Sequence, residues 1–402
     1  MKINIKTNMK RNLLSLAVVS SVAVTPAMAE DLINISLGSG GLKVTKGDSK
    51  FQMGGRAQFD FVKFDEEDDL DNFSDGTDVR RARLYVKGNV GSDWKYKVQY
   101  DFADSDMKDL YIKYTGSEAG DILIGQAAPA MFLDSYTSSK WTTFIERAVV
   151  DNFAAARELG LGFQRAGDNY SFYTSVTGDN MNNDDIAGKD EDGDVIPADD
   201  TATYAARLTL SPVHETGNAV HLGFTAAYED LNGYYYAAGA RPGSKVDGGN
   251  KLVKSYVDSA DARSTYGVEL AFMSGPLSTQ AEHVVVEVDA NGTDDEKYTA
   301  TYGQVSYFLT GESRSYYVDG GIFDAPTSMK NSWEVAARYE EMDLSDSTAS
   351  RSGEMETSTL GLNFYPNKNI RFAMNLINSK ATLNNNTEEE VKLVQLRSQL
   401  VF

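Results

Sequence analysis

The chain has 402 residues, a formal net charge of −21 and no cysteine. Without cysteine neither a disulfide scaffold nor a thiolate metal site can form, and the acid excess argues against nucleic acid as a partner. With 22 Tyr and 18 Phe against only 8 Pro, the composition favours strands over proline-punctuated linkers.

In chain order, the first element is an export signal. Lys2, Lys6, Lys10 and Arg11 form a positive cluster, Leu13 to Val24 an apolar stretch, and Ala27-Met28-Ala29 a small-residue end. That order is the pattern of a secretory signal peptide, and the apolar stretch is too short to span a bilayer as a helix. Residues 1–29 are therefore expected to be a signal peptide, with the mature chain starting near Glu30 and its net charge falling from −21 to about −25. Residues 30–50 are expected to be a short periplasmic N-terminal segment, and residues 51–402 a transmembrane β-barrel.

The barrel reading comes from period-2 alternation. Phe51, Met53, Ala57, Phe59 and Phe61 oppose Gln52, Arg56, Gln58 and Asp60. Ala82, Leu84, Val86 and Val90 oppose Arg81, Arg83, Tyr85, Lys87 and Asn89. Trp94, Tyr96, Val98, Tyr100 and Phe102 oppose Lys95, Lys97, Gln99 and Asp101. A helix would smear these charges around its surface; a strand puts them all on one face. Thirteen further strands are expected at 109–115, 121–126, 159–166, 169–177, 202–210, 219–229, 264–273, 277–288, 297–308, 332–340, 356–365, 369–379 and 391–402. In 277–288, Val284-Val285-Val286 breaks the alternation. The fold class is thus all-β, a 16-stranded antiparallel transmembrane β-barrel, whose even strand number returns both ends to the periplasmic side.

Connections alternate in length. Gly91-Ser92-Asp93, Ala166-Gly167-Asp168, Ser274-Gly275-Pro276 and Pro366-Asn367-Lys368 read as tight turns, and 65–78, 127–158, 178–201, 230–263 and 341–355 as long outer loops. Residues 310–331 are too long for the periplasmic turn they should form. Residues 127–158 are expected to fold inward as a constriction, with Trp141 and Phe144 as anchors to the wall, because a sixteen-strand barrel is wide unless something narrows it. The chain ends on Phe402, on a strand whose Val394, Leu396 and Leu400 face outward with it.

The inward face collects cations: Arg56, Arg81, Arg83, Lys95, Lys97, Lys113, Arg207, Arg338, Arg371 and Arg397. The inward loop adds Lys140, Arg147 and Arg157. Guanidinium forks suit oxyanions, and positive walls raise the local anion concentration. The expected anion-lining set is Arg56, Arg81, Arg83, Lys95, Lys97, Lys140, Arg147, Arg157, Arg338 and Arg371. Carboxylates such as Asp60, Asp101 and Glu269 could equally balance these charges. Other chemistry is thin: His214, His221 and His283 form no catalytic or metal-ligand spacing, so neither an enzyme nor a cofactor is expected. Asp190-Glu191-Asp192-Gly193-Asp194 is read as a solvated acidic loop, since it lacks the glutamate a calcium loop needs at the right offset.

Several segments in this order resemble the phosphate-selective porin family, the O/P-type porins. They are Gly41-Leu42-Lys43-Val44 with Gly54-Gly55-Arg56-Ala57-Gln58, Arg80-Arg81-Ala82-Arg83-Leu84 with Val86-Lys87-Gly88, and Thr137-Ser138-Ser139-Lys140 through Glu146-Arg147-Ala148. Phe308-Leu309-Thr310-Gly311-Glu312-Ser313-Arg314, Trp333-Glu334-Val335-Ala336-Ala337-Arg338-Tyr339 and Asn363-Phe364-Tyr365 complete the set. The resemblance implies a homotrimeric outer-membrane porin of a Gram-negative-type cell, set among lipid and lipopolysaccharide, passing small anions such as phosphate or polyphosphate. It carries Arg81, Arg83, Lys140 and Arg147 over as anion-guiding residues. After Gly125-Gln126, where many relatives place a lysine, this chain has Ala127-Ala128-Pro129-Ala130-Met131. A general porin with weak or cation-leaning selectivity, and a plugged structural barrel, are the competing readings.

Overall fold

The computed structural model describes residues 33–38, 40–65, 73–178, 186–189, 195–197, 202–246, 250–290 and 294–402. The expected signal peptide and the acidic 190–194 stretch lie outside the described residues.

Two short strands, β1 (Asn34–Gly38) and β2 (Gly41–Lys46), precede the barrel. The first wall is β3 (Ser49–Phe64), β4 (Gly76–Val90), β5 (Trp94–Asp101), β6 (Asp106–Tyr114), β7 (Asp121–Ala127), β8 (Glu158–Ala166) and β9 (Tyr170–Thr177). A small hairpin follows, β10 (Ile186–Lys189) with β11 (Val195–Pro197). The second wall begins with β12 (Ala202–Glu215), β13 (Asn218–Ala240), β14 (Val253–Ser274), β15 (Leu277–Ala290) and β16 (Glu296–Phe308). After the hairpin β17 (Arg314–Tyr317) and β18 (Ile322–Pro326) come β19 (Ser332–Asp343), β20 (Gly353–Asn367), β21 (Ile370–Leu383) and β22 (Glu388–Val401).

Every barrel strand pairs antiparallel with its neighbour in sequence, and β22 pairs with β3 to close the cylinder. Among the described residues this makes sixteen barrel strands, in the places expected. The seam runs from Leu393 opposite Phe64 to Val401 opposite Arg56, and Gly55 and Phe402 exchange both backbone bonds at 2.7 and 3.1 Å. Below that point β3 pairs instead with β2, so the segment up to residue 50 continues the sheet at the rim.

Outward side chains form an apolar belt, with Val268, Leu270, Phe272, Val335, Leu360, Leu376 and Leu396 exposed on the outer face. Aromatic pairs, Trp333 with Phe364 at 4.3 Å and Tyr204 with Tyr228 at 6.4 Å, lie on the same surface. No helix of the described residues is long and apolar enough to cross a membrane; this wall crosses with strands.

Two strands run much further than the alternation showed. β13 and β14 have 23 and 22 residues, pairing from Asn218–Ser274 up to Ala240–Val253. Register shifts between Asp230 and Tyr236, with Asn232 at φ 50° and Gly233 at φ 80°, break the period of two there. The ribbon's tip reaches the opposite side: Ser379 Oγ on β21 donates to Pro242 O at 3.1 Å, and Gly243 lies against Ile377.

The valines of β15 also find their reason. Val284, Val286 and Val288 are fully buried and face inward, against Met131, Phe132, Val150 and Phe153 of the 128–157 loop. This part of the barrel interior is a packed apolar core, so an inward apolar residue is in place there.

Candidate functional site: a basic channel between two inward segments

The connection between β7 and β8 packs against side chains on the inner face of the wall. It carries a short helix, α1 (Leu133–Tyr136), and a single 3-10 turn at Val149–Phe153. A loop inside a barrel must satisfy its backbone polar groups without bulk water. Inward side chains do so here. Glu282 on β15 accepts from the Leu133 and Asp134 amides at 2.8 Å each, and Glu340 on β19 accepts from Val149 N at 2.7 Å. Arg371 donates to the carbonyls of Thr142 and Thr143, both at 2.7 Å, and Arg397 to that of Ile145. Phe144 is buried with the Arg338 guanidinium 4.5 Å from its ring centre, which makes it a wall anchor. Trp141 is only half-buried, beside the Lys140 ammonium at 5.7 Å.

The over-long 309–331 connection folds inward too, from the other end. Arg207 on β12 donates to Gly320 O and Gly321 O at 2.8 Å each, and is itself held by Glu269 at 2.7 Å. Tyr316 of β17 meets Ser211 at 2.7 Å and His221 at 2.6 Å. Arg314 stacks on Phe323 and donates to Trp141 O at 2.7 Å, so the two inward segments touch.

Space remains along the first wall. A cavity of about 290 Å³ is lined by eight cations (Arg56, Arg83, Lys87, Lys97, Lys113, Lys140, Arg147 and Arg157) and by two carboxylates, Asp109 and Asp121. Towards the outer loops, Arg147 also lines a second cavity of about 110 Å³ with Arg80, Arg81, Arg241, Lys245, Arg338, Glu146, Asp151 and Glu340. Towards the short turns, Lys113 and Asp121 also line a third, which holds Lys95, Arg165 and Asp319. The three spaces share residues in series, as a path through the barrel would.

The expected lining residues separate into groups. Arg56 and Lys140 line the inner cavity, and among the described residues neither has an ion-pair partner; Arg56 reaches only Ser138 Oγ at 3.4 Å. Lys140 is pushed down to about 8 by burial and by the neighbouring Arg56. Arg83 lines the same cavity paired to Asp101 at 2.5 Å, and Lys97 and Arg157 share Asp109 at 2.5 and 3.1 Å. Arg81 faces the outer cavity with Gln58 as its partner at 2.9 Å, and Lys95 sits exposed at the short-turn mouth. Arg147 touches both cavities while tying its own loop through Asp134 O and Thr137 O. Arg338 borders the outer cavity but is tied to Glu340 at 2.8 Å and to Glu146 O at 3.2 Å. Arg371 lines none of these cavities; its guanidinium is occupied by loop carbonyls and by Asn363.

Sequence reasoning missed Lys87, Arg80, Arg241 and Lys245 as lining residues. Alternation points Arg80 outward, but β4 carries one extra residue between the pairs Arg81–Gln58 and Asp78–Asp60. That bulge turns Arg80 and Arg81 inward together. Arg241 and Lys245 arrive on the tip of the β13–β14 ribbon, read from sequence as loop. Ala127 and Ala128 line the inner cavity and add no charge to it.

A model of the family described as phosphate-selective porin O and P matches residues 51–402. Porin O of Pseudomonas aeruginosa is 29% identical, over 90% of this chain and 91% of that protein. Among solved structures, an anion-selective porin from Comamonas acidovorans aligns with TM-score 0.58 at 12% identity, covering 88% of this chain and 100% of that one. OmpT of Vibrio cholerae in trimer form aligns with TM-score 0.55 at 10% identity, covering 89% and 100%. These two structures share the barrel fold.

Proposed function

The chain belongs to the phosphate-selective porin O and P family, an outer-membrane channel rather than an enzyme, and on that premise we propose that its pore draws small oxyanions, phosphate first, past Arg56, Lys140 and Lys87. The observation that carries this reading is the inner cavity, with eight cations against two carboxylates and three of those cations free of any acid partner among the described residues. Free donors in a narrow space attract an anion and still release it, because no one of them encloses it. Arg83, Lys97 and Arg157 supply field that is partly cancelled. Passage is passive diffusion.

A weakly selective general porin is the second reading. Asp101, Asp109 and Asp121 each neutralise a lining cation, with Lys113 2.8 Å from Asp121. Reversal potential in a chloride gradient, followed by phosphate titration of single-channel current, separates the two. Anion preference with saturable block supports the oxyanion pore; cation preference without block sinks it.

The first 29 residues are read as its export signal. A homotrimer is part of the same reading, supported by wall height. β5 to β8 have only 8, 9, 7 and 9 residues. At ~3.3 Å per residue and ~40° tilt they rise roughly 20 Å, less than the ~25 Å apolar band. Their outer face, with Ile112, Ile122, Ile124, Leu159 and Leu161 exposed, would seat against partner copies. A detergent-extracted mass of one chain would refute the trimer.

A further inference from the structure

Glu146 sits on the inward loop among the cations of the outer cavity. Its two carboxylate oxygens take the Arg80 fork at 3.0 and 3.1 Å, and Arg397 adds a third contact at 2.8 Å. Burial alone would raise this carboxyl, but Arg80, Arg397 and Arg81 overcome it and hold it well below the usual carboxylate range. Two buried donors in the same cavity lining stay unpaired: among the described residues the Nε atoms of Arg81 and Arg241 have no hydrogen-bond partner. A planar guanidinium gripping two oxygens of one anion is also how arginine grips phosphate. So a protein carboxylate occupies the position from which the outer cavity would hold an oxyanion most strongly.

We propose that Glu146 is a resident counter-anion that sets how tightly the outer vestibule holds a passing oxyanion. With the carboxylate in place, an incoming anion meets Arg81, Arg241 and Lys245 but must displace Glu146 to reach the Arg80 fork. The vestibule therefore gathers anions without trapping them, and cargo moves on towards the inner cavity. This rests on the anion-pore reading, and wild-type selectivity tests that reading before any variant is made.

The experiment is single-channel recording of the full chain in planar bilayers, with inorganic phosphate added on the long-loop side. Glu146→Gln keeps the side-chain shape and removes the charge. The half-blocking phosphate concentration is expected to fall roughly 3–10-fold, and the reversal potential to move further towards anions. Glu282→Gln serves as the comparison, since Glu282 anchors the same loop through two amides and lines neither cavity. A loosened loop widens the path, so this variant raises conductance and weakens block. Unchanged block in Glu146→Gln overturns the proposal, as does a response matching Glu282→Gln, which would make Glu146 a loop tether alone. A cation-selective wild type overturns instead the anion reading beneath it.

Discussion

The wall from β3 to β9 and the wall from β12 to β22 both turn arginines inward, yet they use them differently. On the second wall Arg207, Arg371 and Arg397 lie against the inward segments, and their donors are occupied by loop carbonyls and buried carboxylates. On the first wall Arg56 and Lys87, with Lys140 of the loop beside them, border open space. Positive charge and inward direction are the same; what differs is whether something already sits in front of the cation. A buried guanidinium is a channel group only while its donors remain available to cargo. Otherwise it is scaffolding for the segments that shape the channel.

The sharpest way to break this division is to delete one arginine from each wall. Arg397→Ala leaves Asp60 buried without its ion-pair partner, held until then at 2.6 Å. Removing one member of such a pair costs about 3–5 kcal/mol. Arg56→Ala strands no carboxylate, so its denaturant midpoint should stay near wild type while the half-blocking phosphate concentration rises about tenfold. Equal stability losses in the two variants would erase the distinction between the walls.

A smaller effect sharpens it. Lys140 titrates at about 8, below an ordinary lysine, so it is charged at pH 7 and increasingly neutral as pH rises through 8. Anion preference should therefore decline between pH 7 and 9 and be full below that range, and Lys140→Arg should reduce the decline. A pH-independent reversal potential would show that Lys140 does not face the ion path.

The smallest effect is additive. Ala128→Lys places one more cation on the first wall and should tighten phosphate block by roughly 2–3-fold. A loss of stability with no change in block would mean that the alanine is packed against protein rather than facing cargo.

Most of the barrel could be read from sequence because side-chain direction alternates with a period of two, and lipid outside against polar groups inside makes that period visible. Where the period breaks, reading stopped. The bulge at Asp78–Arg81 hid Arg80, and the irregular 230–236 stretch hid the ribbon that brings Arg241 and Lys245 across the mouth. Phe144 was legible as an anchor by its size and setting. The division of cations into bound and free was not legible. It depends on contacts such as Arg371 with Thr142 O, 229 residues apart in sequence, which no local pattern encodes.

The sealed seam has a consequence in time. Arg397 and Asp60, which lock it, stand 337 residues apart. The contacts that hold the 309–331 hairpin span far less chain, 113 residues for Arg207 to Gly320. Closing a longer stretch of chain costs more entropy, though the cost grows slowly. An interior filled by two ingrowing segments is also easier to stock while the cylinder is still open. Closing the cylinder and seating the first inward segment are also one event in part, because the final strand brings Arg397 to Ile145 O and Glu146.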